Sequence, residues 1–398
     1  MRGPVLALAH FFYNKGPIVS FDSFAFHPHI KAGILSAGFT TPTPIQSRTI
    51  QPVLDGRDVL GLAQTGTGKT AAFVLPILQR LLPGPRGKLR ALILSPTREL
   101  AEQTHMVIRE LGGRTGLRSI TLYGGVSTAP QIKGLRSGVD IGVACPGRLL
   151  DLMGQKVIDL RGIEILVIDE ADRMFDMGFL PSIRQIVAAL PKNRLTLLFS
   201  ATMPPEIRSL AMDFLNRPVT VEIGDSRPVE SVQQAVYPVE QEAKYQTLLN
   251  ILPKAGDGQV LVFTRTKHRA KKLAQQLVKA GHSATSLQGN LSQNQRQAAM
   301  DGFRSGRVKV MVATDIAARG IDVTQISHVI NFDAPDTAEA YTHRIGRTGR
   351  MARHGKAITL ATPDDRPIIR SIERLLGHPL DRVKIGLNEE NITVPLRS

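Results

Sequence analysis

Short apolar runs rich in β-branched residues recur along the chain: 91–95 (ALILS), 165–169 (ILVID), 195–200 (LTLLFS), 260–264 (VLVFT), 308–314 (VKVMVAT) and 328–331 (HVIN). Longer stretches with helical spacing separate them, as at 71–82, 97–111 and 267–280. A strand that alternates apolar and polar residues has one wet face, whereas a continuous apolar run is covered on both. Continuous runs alternating with helices therefore predict an α/β fold, with parallel sheets between helical layers. Residues 216–231 (NRPVTVEIGDSRPVES) break the rhythm; two prolines, a Gly-Asp step and no helical period predict a linker or domain edge. Nearly every polar cluster begins at the carboxyl end of a run, the edge where open α/β sheets bind ligands.

At 398 residues the chain is long enough for two or three domains. Hydrophobic residues make up 42% and charged residues 21%, which excludes a disordered or fibrous chain. No apolar run approaches the ~20 residues that span a bilayer. Cys145 is the single cysteine, so no internal disulfide or cysteine-based zinc site is available, and a reducing, intracellular setting fits. Lys and Arg number 50 against 34 acids, a net charge of +16, which points to a polyanionic partner: nucleic acid or an acidic membrane surface. Basic residues outnumber acidic ones on both sides of residue 230, so the charge belongs to the folded chain, not to a tail. With 14 Phe, 5 Tyr and no Trp, base stacking is a poor basis for binding, and a grip on the nucleic-acid backbone is expected. The apolar stretch within residues 1–20 is interrupted by His10 and Asn14 and reads as an N-terminal extension, not a signal peptide.

Two clusters carry phosphate chemistry. Residues 63–70 (AQTGTGKT) lie between the run 58–62 (DVLGL) and a helical stretch. A Gly-rich turn there aims backbone N–H groups at phosphates, aided by the helix dipole. Ala63, Gln64, Thr65, Gly66, Thr67 and Gly68 would form the cradle. Lys69 would neutralise β/γ-phosphate charge and Thr70 would ligate Mg²⁺. The general pattern wants Gly where Ala63 stands. The second cluster, Asp169-Glu170-Ala171-Asp172, follows ILVI. Asp169 would hold Mg²⁺, directly or through water, and Glu170 would orient or deprotonate an attacking water.

Together with the motifs that follow, these clusters resemble the DEAD-box family of ATP-dependent RNA helicases, most closely the bacterial RhlE-like group, over about residues 20–375. The resemblance implies two tandem RecA-like domains, each a mostly parallel sheet with helices on both faces. The expected boundaries are an extension at 1–20, an ATP-binding domain at 21–224, a second domain at 225–375 and a short tail at 376–398. Phe21 and the segment from Gly38 through Phe39 to Gln46 resemble the adenine-sensing element. A Gln amide offers a donor and an acceptor to the adenine N6/N7 edge, which favours ATP over GTP.

By the same resemblance, Pro96, Thr97, Arg98, Gly125, Pro146, Gly147 and Arg148 contact the RNA backbone in the first domain. Cys145 replaces the family's usual Thr. Thr264, Arg265, Gln288, Gly289, Arg296, Thr314 and Gly320 contact RNA in the second, although the family more often has His where Gln288 stands. Ser200 and Thr202, in Ser200-Ala201-Thr202, link the ATP state to unwinding. Asp322 accepts from the ribose hydroxyls, Arg347 and Arg350 are arginine fingers on the γ-phosphate, and His343 and Arg344 couple the lobes. Asp336 and Glu339 form a capping-box pattern that predicts a helix start, and Gly346 predicts its end.

The expected mechanism places ATP·Mg²⁺ between two lobes and RNA across both. Lobe closure then separates a short duplex locally. Ribosome-assembly or RNA-decay factors are the expected protein partners, the location is cytoplasmic, and no amphipathic anchor favours a membrane. Two alternatives differ in class. A DNA-translocating ATPase of the same superfamily is disfavoured by Gln46 and the Ser200–Thr202 element and would be separated by ribose-against-deoxyribose competition. An RNA clamp whose ATPase only times release shares every residue and is separated by strand displacement.

Overall fold

A computed structural model of the chain describes residues 20–64, 66–223, 232–318, 326–349 and 355–383. The chain forms two compact units, 1–224 and 225–398.

The first unit is built on β1 (Val59–Leu62), β2 (Ala91–Leu94), β3 (Ser119–Leu122), β4 (Ile141–Ala144), β5 (Ile165–Ile168), β6 (Leu195–Ser200) and β7 (Val219–Glu222). They form one sheet in the order β3-β4-β2-β5-β6-β1-β7, with every pairing parallel. Alternate residues serve opposite cores. Ala91, Ile93, Ile165, Val167, Leu197 and Phe199 pack beneath the helices Lys69–Leu81 and Arg98–Gly112. Their neighbours Leu92, Leu94, Leu166, Ile168 and Leu198 pack on the other side against Pro146–Gly154, Leu180–Ala188 and Pro205–Phe214. This two-sided burial is why the strands read as unbroken apolar runs.

The second unit repeats the plan with β8 (Val232–Pro238), β9 (Gln259–Phe263), β10 (Ala284–Leu287), β11 (Val310–Ala313), β12 (Ile326–Asn331), β13 (Gly355–Ala361) and β14 (Asp381–Arg382). Their order is β10-β11-β9-β12-β13-β8-β14, again all parallel. Val260 and Val262 face the core under Lys267–Lys279, and Leu261 and Phe263 face that under Gln293–Arg304. Parallel pairing puts all carboxyl ends of a sheet on one edge, so the loops that follow the strands of each unit open there.

Three details differ from the sequence expectation. The stretch 216–231 contains β7, because Val219-Thr220-Val221 is β-branched and pairs with β1; residues 224–231 lie outside the described residues. The second sheet continues past residue 375, since β14 pairs with β8. The helix Ala338–Ile345 is capped by Thr337 in place of Asp336: the Thr337 hydroxyl accepts from the Ala340 N–H at 3.1 Å. A side-chain oxygen reaching N3 does this from the Ncap position, which Thr337 occupies one residue further on. The Glu339 side chain is outside the described residues. Gly346 follows the last helical residue, as expected.

Candidate active site

The phosphate loop leaves β1 and enters the helix Lys69–Leu81 through Gly68, whose backbone is left-handed at φ +92°. A side chain there would also displace the Gln46 amide, since a Cβ would lie 2.6 Å from Gln46 Nε2. Lys69 is buried, and its ammonium donates to the Ala63 carbonyl at 2.6 Å. Thr67 donates to the Gln64 carbonyl at 2.8 Å, closing the turn, and Ala63 N–H donates to Ser200 O at 3.0 Å. Thr70 is half-buried, Gly66 is also left-handed (φ +87°), and Thr65 lies outside the described residues.

Gln46 is buried and tied to this loop. Its Oε1 accepts from Thr43 N–H at 2.9 Å and its Nε2 donates to the Gly68 carbonyl at 3.2 Å. The amide thus joins the adenine-sensing segment to the phosphate loop, with one N–H and one lone pair still to offer. Phe21 stacks on Phe39, with ring centroids 6.2 Å apart and an interplanar angle of 18°. Phe21 is part of the apolar core and Phe39 packs against it.

Asp169 and Glu170 follow β5. Asp169 is buried, and its Oδ1 has no hydrogen-bond partner. Burial first, then the neighbouring Glu170 charge, raise the Asp169 carboxyl above the ordinary range, while Lys69 opposes the rise. An acceptor-only oxygen stranded in the interior fits a hard cation. Glu170 occupies the left-handed region (φ +54°, ψ +53°), a conformation that costs a non-glycine residue about 1–3 kcal/mol and is retained chiefly at functional sites. Its carboxylate pairs with the buried Arg173 one helical turn on.

Asp172 binds the strand end that carries Ser200. Its Oδ2 accepts from Ala201 N–H (3.1 Å), Thr202 N–H (2.9 Å) and the Thr202 hydroxyl (3.0 Å). Its own N–H donates to Ser200 Oγ at 3.3 Å, and Ser200 Oγ donates to Thr202 O at 2.7 Å. The sequence reading placed Ser200 and Thr202 here but singled out neither Asp172 nor Arg173. Asp172 closes the acidic cluster 169–172 and lies in the first turn of the helix Ala171–Asp176; its place in that cluster was the available signal.

The order of the sheet divides its carboxyl edge. Loops after β5, β6 and β1 carry the phosphate-site candidates, and loops after β2, β4 and β3 carry the first unit's RNA candidates. Following Pro96, Thr97 caps the helix Arg98–Gly112 by accepting from Leu100 N–H at 3.4 Å. Arg98 lies against Gly125 (φ +75°), where a Cβ would come within 2.4 Å of its guanidinium. Beside them Thr121 donates to Glu102 at 2.9 Å, and burial followed by the Glu102 contact pushes the Tyr123 phenol up to about 12. Cys145 takes the Ncap position of Pro146–Gly154, makes no side-chain cap bond, and has its thiol pushed up to about 12 by burial. Gly147 is exposed, and Arg148 is buried, donates to Val126 O at 3.0 Å and leaves two guanidinium nitrogens without a hydrogen bond.

In the second unit, Thr264, Gln288, Gly289 and Thr314 follow β9, β10, β10 and β11 at the same sheet edge. Thr264 is buried, Gln288 is buried and accepts from Asn290 N–H at 2.7 Å, Gly289 is exposed and Thr314 half-buried. Arg265 is held among acids, its N–H on Asp333 (2.9 Å) and its guanidinium 3.5 Å from Asp336. Arg296 is half-buried on the helix Gln293–Arg304. Arg347 is buried and donates to the His343 carbonyl at 3.3 Å, while His343 itself is half-buried. Gly320, Asp322 and Arg350 lie outside the described residues.

Arg344 is engaged within the second unit. It is bidentate to Asp315 at 2.6 Å on both arms, donates to Asn331 Oδ1 (3.1 Å) and Asp333 O (2.8 Å), and lies 5.0 Å over the Phe263 ring. Arg344→Ala strands Asp315 and two acceptors, and destabilisation of about 3–5 kcal/mol is expected. Urea unfolding of the full chain reads that loss, and nucleotide affinity without RNA should be retained.

Among the described residues no helix is long and apolar enough to cross a membrane. Residues 43–210 match the DEAD/DEAH box helicase family model, and residues 243–352 match the helicase conserved C-terminal domain model. The chain is 46% identical over 346 residues to RNA helicase CrhR of Synechocystis sp., covering 86% of this chain and 70% of that protein. It is 39% identical over 367 residues to the DEAD-box ATP-dependent RNA helicase CshA of Bacillus subtilis, covering 92% and 74%. The structure of S. cerevisiae Dbp5 bound to RNA and ADP BeF3 superposes with a TM-score of 0.81 at 32% identity, over 92% of this chain and 95% of that one.

Proposed function

The chain belongs to the DEAD-box family of ATP-dependent RNA helicases, and from that premise we propose how its own residues divide the work. Its units are RecA-like domains, its nucleotide is ATP and its partner is RNA. The first unit binds the triphosphate through the backbone of Gly66, Thr67 and Gly68 and through Lys69, with Gln46 reading adenine. Thr70 and Asp169 would hold Mg²⁺, which would supply charge neutralisation at the phosphates. Glu170 orients the attacking water and receives its proton. Arg347 and Arg350 of the second unit stabilise charge on the transferred phosphoryl group, and Asp322 accepts from the ribose.

RNA lies along the loops that follow β2, β3, β4, β9, β10 and β11, held by phosphate and 2′-hydroxyl contacts with little sequence readout. ATP and RNA favour the same arrangement of the two units, so each raises the affinity for the other. Bending of one strand separates a short duplex locally and non-processively; hydrolysis resets the protein. Cytoplasmic work on ribosome assembly or RNA decay fits this chemistry.

The observation that carries the reading is the arrangement at the ends of β1, β5 and β6. A buried lysine, a buried carboxylate oxygen without a partner and the Asp172–Thr202 hydrogen bonds share one sheet edge. The test is ATP hydrolysis at low salt with oligoribonucleotide or oligodeoxyribonucleotide of the same sequence. Stimulation by the ribose strand, uncompeted by the deoxyribose strand, is expected; equal stimulation by both would remove the assigned 2′-hydroxyl contacts.

A further inference from the structure

Two buried oxygen atoms at neighbouring strand ends lack a hydrogen-bond partner: Ser95 Oγ and Asp169 Oδ1. β2 and β5 pair with Leu94 opposite Ile168, so Ser95 and Asp169 stand side by side one step beyond the ladder. Leu94 and Ile168 face one core, and strand alternation turns the next pair to the other face, that of the helix Lys69–Leu81. Both backbones are pinned: Ser95 N–H donates to Ala144 O at 2.9 Å and Asp169 N–H to Leu94 O at 3.0 Å. Across the other edge of β5, Leu198 is opposite Ile168, which puts the ring of Phe199 beside Asp169. Of the two strand neighbours of Asp169, Ser95 is therefore the polar one.

Native interiors seldom keep a polar atom idle, and two idle oxygens side by side call for a shared third group. We propose that Ser95 is a positioning residue for the metal end of the nucleotide site: its hydroxyl and the free Asp169 oxygen together hold one water of a hydrated Mg²⁺. The inference rests on the reading that Asp169 faces the cation. Mg²⁺ sheds its waters reluctantly and is commonly held through them. Such a water has two protons to donate, and a carboxylate oxygen and a hydroxyl oxygen each accept one. Groups of this outer kind fix the orientation of the inner ligands.

The test measures the affinity of fluorescently labelled ADP for the full chain, in Mg²⁺ and in EDTA, with no turnover involved. The wild type should bind more tightly in Mg²⁺, and Asp169→Asn should lose most of that gain. Ser95→Ala should match the wild type in EDTA and lose part of the Mg²⁺ gain, about tenfold, at the low end for an outer-shell partner. If Ser95→Ala keeps the whole gain while Asp169→Asn loses it, Ser95 is only a buried hydroxyl and the proposal is overturned; a raised melting temperature would accompany that result. Equal weakening of Ser95→Ala in Mg²⁺ and in EDTA overturns it as well, since the pocket and not the cation would be affected. A full gain in both variants removes the assignment of Asp169 itself.

Discussion

Lys69→Ala lowers RNA-stimulated ATP turnover by about 10³-fold or more. The ammonium is buried and held at the phosphate loop by the Ala63 carbonyl at 2.6 Å. Because the ammonium itself is buried, its charge is weakly screened. Alanine is the best helix former, so the helix Lys69–Leu81 should persist and the melting temperature should change little. RNA binding without nucleotide should survive. A variant that kept half of its turnover would show that phosphate charge is met elsewhere.

The phosphate loop and Asp169 were legible in the sequence because each follows a strand whose burial on both faces makes it a plain apolar run. Lys69 and Thr70 also sit at fixed steps from two glycines that have to be left-handed. Less was readable where the cue is tertiary. β4 (IGVA) is interrupted by Gly142 and β3 (SITL) by Ser119 and Thr121, so neither reads as a continuous apolar run, and β7 hides among prolines and turn residues. Asp172 looked like one more acid until the fold brought Thr202 against it. The partners of Arg344 were not legible, because a linear pattern does not show that Asp315, Asn331 and Asp333 converge on it. Ser95 gave no sign at all: a lone serine before a proline becomes conspicuous only when its strand neighbour is Asp169 and neither oxygen has a partner.

Glu170→Gln is the second large effect: hydrolysis falls by about 10²–10⁴-fold while ATP and RNA remain bound. Glutamine keeps the shape and still accepts from Arg173, but it cannot take a proton from water. The buried Glu170–Arg173 pair becomes a buried cation beside a neutral amide, so the first unit should also lose stability, by up to about 3–5 kcal/mol. The two consequences separate cleanly. A folding defect would lower ATP and RNA binding together, whereas loss of the base should prolong the RNA complex in ATP. Slow RNA release from the variant in ATP, with fast release in ADP, is the expected pattern. Rapid release in ATP would assign the proton transfer to another group.

Hydrolysis and RNA affinity alone do not require that a duplex be opened, since a clamp would show both. Strand displacement on a short RNA duplex with a labelled strand, followed with ATP, with ADP and without nucleotide, tests the central claim. The account predicts that ATP releases the strand, that ADP and buffer do not, and that Lys69→Ala abolishes the release. Persistence of the duplex in ATP, under conditions where RNA still stimulates hydrolysis, would contradict it.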